Sequence, residues 1–294
     1  MLSPAKVWAV ARYEITWDMR KKRTYFIVSL FFFTALAYGY LLPIVAGKSI
    51  TTAPFNEGVS VDSSLWWVNS VYLVFNTFLV GIFPLLIGGF ISSDSLASEF
   101  NKSTIVPLLS QPIRRIELYL GKLLEKVLLL IVVSAMFTLL VLATADVSVG
   151  AQAQLYWLPV VVFAGFGAFL EYAALAFFFG SFVRSGSMVL GILIALLLVL
   201  SGTITVLALH TGEQESMFLL PILNAASLTH VIPYYIFQPT GDMVLKGAFM
   251  GTYTPAVSVT AISALEYALA GLALNATIPI IAGYYIFRRK EVKG

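Results

Sequence analysis

The chain has 294 residues, of which 59% are hydrophobic and only 11% charged, with 18 Lys and Arg against 15 Asp and Glu. Soluble domains carry roughly 25% charged residues, so a water-soluble globular protein is excluded. Cysteine is absent, which excludes disulfides and thiolate metal sites and leaves the compartment unassigned.

Residues 1–24 read as a helix on the cytoplasmic membrane surface. Ser3 is a capping residue and Pro4 suits the first helical position. Val7, Ala11, Ile15 and Met19 recur at i, i+4 spacing with Trp8 beside them, and Glu14 and Asp18 border that face. The first apolar run, Tyr25–Ala46, exceeds the roughly 7–15-residue core of a signal peptide. With no convincing cleavage site after it, it reads as a retained helix. A second run covers Trp66–Ile91, with Gly81, Gly88 and Gly89 allowing close helix approach and Pro84 placed to kink it.

A polar connection follows over 92–122. Asp94 to Lys102 extends the second helix beyond the membrane, and Pro107 and Pro112 punctuate the rest. Between the prolines and just before them, Ile105, Val106, Leu108 and Leu109 make a small apolar knob, followed by Arg114 and Arg115. Lys122 and Lys126 are expected to snorkel where the chain re-enters the membrane. Further apolar runs cover Leu123–Ala145, Tyr156–Val183, Ser187–Leu209 and Val259–Phe287. Gly165, Gly167 and Gly180 in the fourth serve packing. The outer segment 210–258 holds two apolar pieces, Phe218–Leu223 and Val231–Phe237, both too short to span. Their prolines suit re-entrant or interfacial helices.

Spans of about 20 apolar residues are read as membrane helices. The expectation is therefore an all-α polytopic membrane protein with six transmembrane helices in one domain over 1–294. Sixteen of the 18 Lys and Arg fall on one side of these spans, leaving Lys48 and Lys246 on the other. That asymmetry puts both termini in the cytoplasm. The basic clusters flank spans, where anionic lipid headgroups or a protein partner would meet them, and they do not suggest nucleic-acid binding.

The chain contains no G-x-x-x-x-G-K-[ST], no H-E-x-x-H and no G-x-S-x-G, so neither a phosphate-cradling loop nor a hydrolase constellation is recognisable. His210 and His230 lie in the outer segment with Met217, Met243 and Met250. These read as packing residues rather than a copper site. Glu171 sits near the middle of the fourth span, and Glu266 about two turns into the sixth. An ionisable group at such depth is costly and marks a functional candidate. No Lys or Arg lies deep in a span to pair with them, so both should face the bundle interior. Either could be a hydrogen-bonded structural acid or line a substrate or ion path.

The connecting stretch EFNKSTIVPLLSQPIRRIELYLGK, Glu99 to Lys122, resembles the membrane subunit of type-2, exporter-like ABC transporters. The residues that carry the likeness are Glu99, Thr104, Leu108, Leu109, Ser110, Pro112, Arg115, Gly121 and Lys122. Ser103 stands where glycine is usual, and Pro107 interrupts the helix of the typical pattern. The six-span plan, the basic N-terminal helix, the long outer segment and the ending GYYIFRRKEV (Gly283–Val292) fit the same family. The resemblance implies a permease without its own catalysis or cofactor. Two cytoplasmic ATPase subunits would bind the ATP and Mg, and a second copy or a homologous permease would complete the pathway in the plasma membrane. It implies that segment 92–122 couples the two, with Glu99, Ile105, Leu108, Leu109, Arg114 and Arg115 at the joint. A self-contained secondary transporter or channel, with Glu171 as its proton or cation site, is the alternative.

Overall fold

The computed structural model describes residues 2–41, 43–44, 63–76, 82–101, 113–211, 242–245, 248–249, 252–253 and 257–289. Helix α1 (Pro4–Asp18) leads through a short turn into α2 (Lys22–Leu36), which continues as a π-helical turn, Ala37–Leu41. The second apolar run is α3 (Trp66–Asn76) and then a segment that starts Ile82–Pro84, widens into a π turn at Leu85–Gly89 and ends Phe90–Ser92. The irregular turn begins directly after Pro84, which has no N–H for the regular ladder. Helix α4 (Asp94–Asn101) carries this run into the connecting segment. Residues 102–112, with Ile105, Leu108 and Leu109, lie outside the described residues.

Helix α5 (Arg115–Val149) has 35 residues, a length of about 52 Å at 1.5 Å per residue. The hydrocarbon core is about 30 Å thick, so α5 projects well beyond it. Glu117, in its first turn, accepts a hydrogen bond from the Arg114 N–H at 3.0 Å, a half of a capping box. It stops at Gly150, whose φ of 104° is open to glycine and strained for other residues. The turn that follows is tied to the start of the second run: the Ala153 N–H donates to Ser64 O at 2.6 Å, and Trp67 Nε1 donates to Ala153 O at 3.2 Å. Helices α6 (Leu158–Gly180), α7 (Gly186–Thr211) and α8 (Ala261–Arg289) follow among the described residues.

Thr24–Leu41, Arg115–Val149, Leu155–Gly180 and Leu265–Arg289 are long and apolar enough to cross a membrane, and Ile82–Ala97 and Gly186–Val199 are shorter apolar helices. Beyond the end of α7 at Thr211, the described part of the outer segment is extended. Strand β1 (Asp242–Leu245) pairs antiparallel with β4 (Val257–Thr260), enclosing β2 (Ala248–Phe249) paired with β3 (Thr252–Tyr253). The two apolar pieces expected as re-entrant helices, Phe218–Leu223 and Val231–Phe237, lie outside the described residues.

Five phenyl rings fill the middle of the bundle. Phe31 of α2, Phe75 of α3, Phe83, Phe137 of α5 and Phe169 of α6 meet with centroid separations of 5.2–6.2 Å, mostly edge to face. Such ring pairs add about 0.5–1.5 kcal/mol each beyond area burial. Helices approach closely where a side chain is missing. A Cβ on Gly88 would overlap the Phe169 carbonyl, so α6 packs directly on the π turn of the second run. The first and third runs lie side by side in the same direction, since Thr144 Oγ1 donates to Ala35 O at 3.3 Å and Ser148 Oγ to Gly39 O at 2.6 Å.

Candidate coupling and pathway sites

Basic residues gather at one end of the bundle through contacts between distant segments. The first three turns of α5 receive α1 there. Gly121 makes room: a Cβ on it would stand 2.6 Å from Val10 Cβ and 3.0 Å from Val7 O. The buried face of α1 is Val7, Val10, Ala11, Glu14 and Asp18, residues spaced i, i+3, i+4 and i+7 along one side of a helix. This corrects the expected face. Ile15 is half-buried, Met19 and Trp8 are 51% and 53% exposed, and the two acids lie inside the contact rather than on its border.

The reason is the charge on α5. Lys122 Nζ donates to Glu14 Oε1 at 2.7 Å, Lys126 Nζ donates to Asp18 Oδ2, and Lys126 also lies 3.0 Å from Glu125 Oε2. Lys122 and Lys126 are 1% and 3% exposed, so neither snorkels. Long cations snorkel when their charge has only water or headgroups to reach, and here each meets a carboxylate from α1. Burial pushes the Asp18 carboxyl upward, but Lys126 and Lys21, the latter at 2.5 Å, hold it below its ordinary value of 3.8. Glu117 joins the N-terminus to the same unit: its second oxygen accepts the Ser3 N–H at 2.9 Å.

Tyr119 holds the other side of this end. Its hydroxyl donates to Ile280 O of α8 at 2.8 Å, and its ring packs with Phe177, Tyr284 and Phe287. Arg115 donates from Nη1 to Arg288 O at 3.0 Å, at the carboxyl end of α8, where a cation is favoured. Arg115 thus braces α8, while Arg114 is exposed. Glu99 lies on α4, next to the undescribed segment.

Of the two carboxylates expected inside the bundle, the structure buries one. Glu171 is 1% exposed on α6, and Asn275 Nδ2 of α8 donates to its Oε2 at 3.4 Å. Glu266 is exposed, which corrects the expected inward orientation. It falls near the start of α8, beside the extended segment that ends at Thr260, where a carboxylate at a helix end can keep its water. Asn275 has no motif around it; a polar residue in an apolar helix, four residues before Pro279, is the signal that marks it.

These features define a polytopic helical membrane protein whose ion pairs, among the described residues, gather at one end of the bundle, with one buried acid deeper inside. The model of the family described as ABC-2 family transporter protein matches residues 8–292. The chain belongs to that family and is an ABC type-2 permease subunit, a membrane transport component that is not itself catalytic. No match to an individually curated protein accompanies the family match.

Proposed function

We propose that this permease pairs with a second permease, a copy or a homologue, and with two cytoplasmic ATPase subunits, and that it exports its cargo across the plasma membrane. Both termini lie in the cytoplasm in this reading. Segment 92–122 takes up the motion of the ATPases, with Glu99, Ile105, Leu108, Leu109 and Arg114 facing them and Arg115 bracing the joint from inside. ATP and Mg stay on the partner subunits.

One observation carries the reading. The connecting segment leaves α4 and rejoins α5 at a point locked to α1 by buried ion pairs and to α8 by Tyr119 and Arg115. A push on such a segment is passed to whole helices rather than lost in a loop. The five-ring cluster favours a path between subunits over one through a single protomer, which weighs against a self-contained channel. Glu171, buried behind the wall of that path, would then act on it through α6 and α8.

The test is reconstitution with the ATPase subunit. Leu108→Glu and Leu109→Glu should abolish copurification of the ATPase, or its coupling to transport, with folding intact. Ion-driven transport by the purified permease alone would overturn the reading.

A further inference from the structure

The contacts at the basic end continue past the connecting segment into the turn between α6 and α7. Asp94 opens α4, and Gly186 opens α7. A Cβ on Gly186 would overlap the Asp94 carboxylate and stand 3.3 Å from its Cα. Only glycine leaves the acid room at this place. The carboxylate thereby sits at the amino end of α7, where backbone N–H groups lack intrahelical acceptors and the helix dipole is positive.

Helix α4 is held from a second direction. Gly180, the last residue of α6, brings the place of its missing Cβ to 3.6 Å from both Ala97 N and Leu96 Cβ. Ala97 packs in one buried cluster with Ala176, Val183, Val189 and Leu193, so α4, the end of α6 and the start of α7 share a core. The intervening turn is itself tight: Val183 N–H donates to Phe179 O at 2.9 Å, and Val189 N–H to Ser185 O at 3.0 Å. A displacement of α4 has no slack to absorb it before it reaches α7.

We propose that Asp94 and Gly186 form a second transmission joint, through which α4 carries the fifth apolar helix with it when the connecting segment moves. This rests on the coupled-permease reading above. The joint predicts that α4 and α7 travel as one body and that removing the Asp94 side-chain oxygens releases α7.

The absence of native cysteine makes both parts testable in the full complex with its ATPase, in lipid vesicles. In an Asp94→Cys, Gly186→Cys double variant, mild oxidation should join the two positions, and ATP hydrolysis should then stay within about twofold of the wild-type complex, since a rigid joint loses nothing by being locked. In separate proteins, a spin label at Val199 of α7, 63% exposed, and one at Val132 of α5, 53% exposed, report helix motion. Asp94→Ala should reduce the ATP-and-vanadate-dependent ratio of displaced to resting label at Val199 by about tenfold, within the range of ordinary coupling energies, and leave that at Val132 unchanged. Asp94→Asn keeps a side-chain oxygen and should behave nearly as wild type. Oxidation that stops turnover, or an undiminished Val199 displacement in Asp94→Ala, overturns the joint alone. A wild-type complex in which neither label moves with ATP overturns the coupled-permease reading and the joint with it.

Discussion

Replacing Lys126 with methionine removes an ammonium group that contacts Asp18 and lies 3.0 Å from Glu125, with side-chain exposures of 3%, 9% and 0%. Methionine preserves most of the volume, so the change is in charge. Breaking a buried pair by deleting one partner costs about 3–5 kcal/mol, because the remaining charge loses its compensation. With each kcal/mol worth roughly 2–4 °C in a chain of this order of size, the melting temperature in detergent should fall by roughly 10 °C. Intrinsic fluorescence is a suitable readout, since Trp66 and Trp67 are buried in the folded protein and change surroundings on unfolding. The Asp18→Asn, Lys126→Met double variant should lose less than the sum of the single changes, as expected for groups in direct contact. Acid should act on the same contact. Asp18 has its folded pKa held below 3.8 by Lys126 and Lys21 against the effect of burial. A lowered folded pKa contributes stability above the unfolded value, and that stability is lost as pH falls through the folded value. Wild type should therefore lose α1 docking progressively as pH falls from 3.8 through the lower folded value, and Lys126→Met should show a weaker acid dependence there. A Lys126→Met protein that melts within about 2 °C of wild type, less than 1 kcal/mol at this scale, would mean that the ammonium is hydrated in the folded protein and that α1 is not docked through it.

Glu171→Gln keeps the shape and the Asn275 contact but removes the ionisable group. Transport in vesicles should be lost with ATPase association intact, and unchanged transport would return Glu171 to a purely structural role. Phe75→Ala opens a cavity at the centre of the five-ring cluster and should cost about 3–5 kcal/mol, read as a fall in melting temperature.

The helices were legible where apolar length decides them. The runs starting near Tyr25, Leu123, Tyr156 and Val259 each contain a long apolar helix, and Pro84 correctly marked an irregular turn. Glu171 was legible as a buried acid because nothing else explains a carboxylate in the middle of GAFLEYAALAF. The burial of Lys122 and Lys126 was not. Local sequence shows two lysines at the edge of an apolar run, which ordinarily reach for water. Their carboxylates come from residues 108 positions earlier, and no local periodicity reports a pairing at that distance. The same blindness placed Glu14 and Asp18 at the edge of the α1 face. Glu266 failed for a different reason: depth was inferred from the apolar run, whereas the helix begins at Ala261 and leaves that acid near its end. Glu99 and the knob at Ile105, Leu108 and Leu109 were legible as a pattern; Ile105, Leu108 and Leu109 lie outside the described residues.

The pairing of α1 with α5 also orders events during synthesis. The acids of α1 leave the ribosome 108 residues ahead of the lysines that complete them. At about 5–20 residues per second, that is a wait of roughly 5–20 s. Throughout it the first helix carries Val7, Val10, Ala11, Glu14 and Asp18 with nothing to bury them, and its fate depends on a membrane segment not yet made. A nascent chain stopped before Lys126 should therefore display an undocked, protease-accessible N-terminus. That gives the cell an early mark by which an incomplete permease can be told from a finished one.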